Sequence, residues 1–402
     1  MQNTAATSWA AIGFSGIGHT YSHLFQPIFF TLVPLALEKH LGLSHGETVS
    51  LIVAGNLLFG FAAPLAGWLA DRWSALGMMC LFYLGTGSGM IMVGLSDSAF
   101  AMAFWLGVTG LFASIYHPVG IAWLVRVSVN TGTALGINGT FGAMGAALGT
   151  VITGLLLTTL GWRAAYVVPG AIVVTTFVAF AFAIAKGWVV EDQAHKKPEQ
   201  PRASRADTLR VVAVLTFTMI AGGLIAHATY PALPKAFALD FAKGGEGIMK
   251  VSYMVGFVYA AAGLIQIIGG RLADRHSVRT VYLLAFALQV PLLALAGVTS
   301  GLTLVAVAVF MVCVNVAGLP AENMLIARYT PHRHRALVFG LKFVLASGIA
   351  SLGVLIEGRL FDMTGGFFAV FAALASLALV GAAAILMLPG ETKPTLQPEA
   401  AE

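Results

Sequence analysis

The chain has 402 residues, of which 58% are hydrophobic and only 10% charged, and its mean hydropathy is +0.87; this composition excludes an ordinary soluble domain. Apolar runs of about 20 residues, enough to cross ~30 Å of hydrocarbon as a helix, recur along its whole length, whereas the alternating segments of about ten residues that a β-barrel needs are missing. The formal charge of +5 calls for no nucleic-acid partner, because the basic residues are placed as a topology signal.

The reading is an all-α membrane protein with twelve transmembrane helices, near 9–36, 48–70, 77–95, 99–125, 133–159, 163–186, 209–237, 248–270, 279–299, 302–327, 336–358 and 366–388. Nothing before Trp9 resembles a cleaved leader, so the first span is expected to be retained. That span contains "GHTYSHLFQP", in which His19 and His23 stand four residues apart on one helix face, followed by Gln26. The second span ends in "GWLADR", residues 67–72, and the fourth contains "ASIYHP" with His117. Span five carries Gly136, Gly139, Gly142, Gly145 and Gly149 at spacings of three and four, a smooth stripe for close helix packing. The polar stretch from Val189 to Arg210 reads as a linker, giving an N-terminal bundle over 1–188, a linker over 189–208 and a C-terminal bundle over 209–402. In the second half, His227 lies in span seven, "GRLADR" ends span eight at residues 270–275, and Glu322 and Glu357 lie in spans ten and eleven. Cys80 and Cys313 are isolated in apolar spans and read as packing residues.

With both termini inside, sixteen Lys and Arg fall in inner segments and six outside, namely Lys39, Arg163, Lys235, Lys243, Lys250 and Arg359. The positive-inside rule then makes both termini cytoplasmic in an inner or plasma membrane. The two halves are also a repeat. "GWLADR" returns as "GRLADR" at a shift of 203, Pro118 and Arg126 return as Pro320 and Arg328 at 202, and Gly136, Gly149, Gly154 and Gly161 return as Gly340, Gly353, Gly358 and Gly365 at 204. At that last shift His23 and Pro27 meet His227 and Pro231. Two pseudo-symmetric six-helix bundles with a cavity between them follow.

On these residues the chain resembles a transporter of the major facilitator superfamily, over essentially its whole length, "GxLADR" between spans two and three being that superfamily's signature. The resemblance implies a conformational latch at Gly67, Asp71 and Arg72 and, in the second copy, at Gly270, Asp274 and Arg275. The first copy continues as "WSALGMM" without the family's further basic residues, whereas the second keeps Arg279. "ASIYHP", with His19 and Pro34, is similar to the fosmidomycin-resistance branch, whose acidic residue near the first-span histidine is here replaced by His23. The Gly-Pro pattern of antiporters in span five and the arginine of antiporters early in span four are both absent.

Intramembrane polar groups are costly and mark candidate sites. His19, His23, Gln26, His117, His227 and Glu322 are the candidates for binding substrate or protons, since imidazole titrates near neutral pH. By the repeat, His227 is expected to face His23. Each histidine has an alternative as a neutral packing ring, and His117 could satisfy a carbonyl freed by a nearby break. A metal held by the His-x-x-x-His pair with His227 as third ligand is a further alternative, although no metal site or bound cofactor is assigned. Glu322 could instead pair with Arg328 or Lys342, and Glu357 with Arg359 or Arg163. The expectation is a monomeric secondary transporter moving a small organic solute by alternating access, coupled to protons and directed outward, not an enzyme and without an ATP-binding phosphate loop. Solute:proton uptake, metal export, and a non-transporting sensor or assembly factor are the alternatives.

Overall fold

A computed structural model describes residues 4–128, 131–191, 205–242, 245–330 and 335–389. Most of the expected linker (192–204), the tail 390–402, and Lys196, Lys197, Arg202, Lys243, Arg333 and Lys393 lie outside them. Among the described residues the regular structure is helical throughout. Ten helices are long and apolar enough to cross a membrane, and the bent pair His45–Phe61 and Ala63–Arg72 makes an eleventh. The first expected span is built in pieces, Thr4–Ser22, Phe25–Leu32 and a π-helical turn Val33–Leu37, with the short helix Glu38–Leu41 beyond it.

Prolines explain the interruptions. A proline has no N–H to bond the carbonyl four residues back, and its ring crowds that carbonyl. Pro27 releases the carbonyl of His23, and the first span breaks into a turn at His23 and Leu24, whose amides fall back on Thr20 and Tyr21 at 3.2 Å. Pro34 sits in the π turn Val33–Leu37, and Pro64 in the second position of Ala63–Arg72, after a bend of 42°. Pro118 lies in the π turn Tyr116–Gly120, after Ala99–Ala113 has ended. Span seven by contrast runs unbroken over Arg205–Phe241 despite Pro231 and Pro234.

Twelve crossings place both ends of the chain on one side, called here the terminus side; the other is the far side. The apolar cores differ between the two. On the far side, one cluster joins Phe25, Phe29, Phe30 and Leu37 of the first half to Val354 and Tyr230 of the second, and another joins Phe237, Val255 and Phe371 to Ala147 and Leu35. On the terminus side, one cluster around Phe82, Tyr83, Trp123 and Phe180 is confined to the first half, and another around Tyr282, Phe286 and Ile385 to the second. Spans five and eight repeat the pattern. A methyl added at Gly154, Gly256 or Gly263 would strike Ser252, Val151 or Ala143 of the facing helix, whereas Gly136, Gly139 and Gly270 have open space beside them. The halves are therefore joined by shared apolar clusters on the far side, while on the terminus side the ends of spans five and eight part and spans two and eleven stay in contact, a Cβ on Gly340 lying 3.6 Å from Pro64.

Candidate functional site

The broken first span delivers a cluster of three histidines where the halves meet. The rings of His19 and His23 are 5.1 Å apart, and His117 of span four stands 5.3 Å from His19 and 5.1 Å from His23. One nitrogen from each ring can be chosen so that all three lie within 4.8 Å of one another. Phe59 of span two packs on His117 at 5.8 Å, and Phe343 of span eleven stacks on it at 4.7 Å, so the cluster touches the second half. His117 Nε2 is buried with no hydrogen-bond partner. The break at Pro118 therefore does not satisfy that nitrogen, which corrects the carbonyl-capping expectation for it.

His19 is held most firmly. Its Nδ1 donates to the backbone carbonyl of Asn138 at 2.9 Å, and its ring stacks on Tyr116 with centroids 5.0 Å apart. The Asn138 amide in turn donates to Tyr116 at 2.7 Å and to Ser15 at 3.0 Å. A carbonyl only accepts, so Nδ1 carries the proton and Nε2 keeps its lone pair. The glycine stripe of span five makes this approach possible. A Cβ on Gly142 would lie 2.4 Å from the His19 ring, and one on Gly145 would lie 2.4 Å from the carbonyl oxygen of Thr20.

The remaining candidates lie elsewhere. His227 does not face His23; its ring neighbour is Tyr230 at 6.1 Å, and its buried Nδ1 has no partner. The repeat puts it at the equivalent position of span seven, but span seven does not break there and its ring stays with its own bundle. Gln26 is buried and donates its amide to Asn56 of span two at 2.8 Å. Glu322 pairs with Lys342 at 2.7 Å and accepts from Tyr282 at 2.8 Å, while Lys342 donates to Asn323 at 2.6 Å. The salt-bridge alternative with Lys342 thus describes its surroundings. Lys342 precedes Phe343, so this cluster borders the histidines from the opposite half.

The latch residues lie on the terminus side. Asp71, Arg72, Asp274 and Arg275 are exposed, and among the described residues neither aspartate has an ion pair. Arg72 lies 4.2 Å over the ring of Trp68. A Cβ on Gly67 would come within 3.3 Å of Pro118, which places this turn against the kink of span four.

The far side holds polar bridges between the halves. His45, at the head of span two, reaches Glu38 at 2.8 Å with Nδ1 and Glu357 of span eleven at 3.0 Å with Nε2. Lys235 of span seven bonds Glu38. Ser44 donates to Asp362 at 2.7 Å, and the backbone amide of Gly46 donates to the same carboxylate at 3.0 Å. Burial by itself would raise the Glu38 carboxyl, but the hydrogen bonds from His45 and Lys235 outweigh it and hold the group below its ordinary value. The expected pairing of Glu357 with Arg359 or Arg163 is replaced by His45. Arg359 is two residues from Glu357, about 200° around the helix, and Arg163 is engaged by the carbonyls of Gly94 and Ser96 and by Asp97.

Sequence reasoning passed over this gate because Glu38, His45 and Lys235 lie at span ends, where charges are usual. The signal that could have found it was Lys235, a cation set in an apolar stretch of span seven between Pro234 and Ala236.

The family model described as Major Facilitator Superfamily matches residues 15–259 and 212–402. Multidrug resistance protein MdtG of Escherichia coli is 22% identical over 291 residues, covering 71% of this chain and 70% of that protein. Among solved structures, a bacterial homolog of the human lysosomal transporter Spinster superposes with a TM-score of 0.69 at 15% identity, covering 95% of each chain. The nucleoside transporter NupG superposes with a TM-score of 0.74 at 14% identity, covering 94% of this chain and 99% of its own.

Proposed function

The chain belongs to the Major Facilitator Superfamily, and from that membership we propose that it is a proton-coupled exporter of a small organic solute, working as a monomer in the inner or plasma membrane. The observation that carries this reading is the histidine cluster at the meeting of the halves, on a span whose helix breaks at His23. Imidazoles change charge near neutral pH, and the broken backbone lets span one bend as the bundles rock. A proton arriving on the cluster would disfavour the solute and be released when the other side opens.

The excess of Lys and Arg in the terminus-side segments supports cytoplasmic termini. In that orientation the gate of Glu38, Lys235, His45 and Glu357 closes the outer side in the state described, and the latch residues Asp71, Arg72, Asp274 and Arg275 stand exposed at the cytoplasmic side. The outward direction rests on the likeness to a multidrug resistance protein. A growth-inhibition panel on deletion and overexpression strains identifies the solute, and proteoliposome flux under an imposed pH gradient then tests coupling. His23→Ala with His117→Ala should remove the response to the gradient. Unchanged gradient-driven flux in that double variant rejects histidine coupling.

A further inference from the structure

We propose that His19, His23 and His117 form a binding site for a divalent transition-metal ion, with three imidazole nitrogens as ligands and a further coordination position left for another donor. Three separate features converge on it. The Asn138 carbonyl fixes the His19 proton on Nδ1 and leaves Nε2 as a lone pair, the same outer-sphere arrangement that orients metal-bound histidines. His117 Nε2 is buried without a partner, a position costly for a neutral acceptor and suited to a cation. The His23 ring has no hydrogen bond among the described residues and sits in the turn that Pro27 imposes, so it is free to swing inward.

The distances are compatible with closure around an ion. Metal–nitrogen bonds of about 2.0–2.1 Å set ligand nitrogens about 3.3 Å apart in a tetrahedron. One nitrogen from each ring already lies within 4.8 Å of the other two, so a movement of about 1–1.5 Å suffices. An all-imidazole set suits zinc, copper and nickel and leaves hard cations such as magnesium and calcium poorly held.

Three neutral ligands bring no charge to balance the ion. The carboxylate bordering the cluster, Glu322, is already paired with Lys342 at 2.7 Å. The open position therefore favours an anionic donor, which would come from the transported solute. That last step rests on the cluster lying in the transport site, as proposed above; the metal site itself does not.

The test uses the full chain, purified in detergent micelles with any affinity tag removed. Titration with Co2+ should give one ion per chain and a visible ligand-field band of four- or five-coordinate type, and Zn2+ should displace it. His19→Ala, His23→Ala and His117→Ala should each weaken binding at least tenfold, while Cys80→Ser and Cys313→Ser should leave it unchanged. X-ray absorption of the Zn2+-loaded wild type needs no variant to fold. A first shell of nitrogen at about 2.0–2.1 Å with imidazole outer shells supports the site, and a sulfur shell at about 2.3 Å overturns it. Absence of Co2+ binding, or stoichiometric binding that survives all three substitutions, also overturns it. These measurements involve no flux. Loss of the metal site would leave proton-driven export standing, and a metal-binding chain without gradient-driven flux would sink export alone.

Discussion

Gly142→Ala is the sharpest probe of how the cluster is held. The added methyl would stand 2.4 Å from Cε1, 2.5 Å from Nε2 and 2.6 Å from Nδ1 of His19, while carbon contacts settle near 3.5 Å, so the ring must retreat by about 1 Å. It has little room. Tyr116 stacks behind it at 5.0 Å, and a retreat of that size stretches the 2.9 Å bond to the Asn138 carbonyl past hydrogen-bond range. Overpacking costs about 1–3 kcal/mol and a lost buried hydrogen bond about 0.5–1.5 kcal/mol. A net penalty of about 2 kcal/mol on the state described is about thirtyfold in its population relative to states that release the contact. Gly139, three residues earlier on the same stripe, has nothing within 4 Å, which makes Gly139→Ala the matched control. Under an imposed pH gradient, Gly142→Ala should lower the initial proteoliposome flux by about tenfold or more, with Gly139→Ala close to wild type. Equal flux in the two variants would falsify the claim that the stripe positions His19.

Three other outcomes are expected. Lys342→Met leaves the Glu322 carboxylate buried with Tyr282 as its one remaining partner among the described residues; it should destabilise the chain by about 3 kcal/mol, and Glu322→Leu in the same chain should restore most of the loss in thermal unfolding. Because hydrogen bonds hold the Glu38 carboxyl below its ordinary value, its contribution to far-side closure is complete above the ordinary carboxylate range and is lost as pH falls through the lowered value. Spin labels at residues 42 and 359 should therefore gain a long-distance population in acid. Glu38→Gln should show that population already at neutral pH, and an unchanged distance distribution in both cases would remove Glu38 from the gate. Pro27→Ala restores an N–H opposite the His23 carbonyl, so span one should become continuous. Transport should then fall while thermal stability holds or rises, the reverse of what a merely structural proline would give.

The spans, the two-bundle plan and the residues of the first helix were legible because hydropathy and a 204-residue self-match need only local sequence. The membership of the cluster was not. The repeat pointed to His227 as the third ring, but equivalence under a pseudo-two-fold puts residues at matching places in different bundles. Contact is decided by which spans pack together, and span four, not span seven, lies against His19. Pro27 announced the break at His23, yet Pro231 carries the same signal in span seven, where the helix continues. Glu357 met His45 rather than a basic residue because the far-side seal brings together chain segments 312 residues apart, which no periodicity encodes.

The asymmetry between the halves has a physical origin in what faces each proline. In the first half, span one meets a glycine at 142, 145 and 149, so its backbone and the His19 ring come directly against span five. At the 204 shift these positions become Ala346, Ile349 and Gly353. Opposite Ala346, where His19 has its counterpart, the chain carries Gly223, whose added Cβ would lie 2.5 Å from Ala350 and 2.6 Å from the Ala346 carbonyl. Bulk has been exchanged across the interface. The first half places a ring on span one and clears span five to receive it, while the second strips span seven to glycine and lets span eleven close onto it. Ile349 takes the place of Gly145, and the Leu224 carbonyl, the counterpart of that of Thr20, is admitted instead by Gly353, whose added Cβ would lie 2.6 Å from it. A site built on His19 therefore belongs to the first bundle, and the second borders it with Phe343, stacked on His117, and with the Glu322 and Lys342 pair.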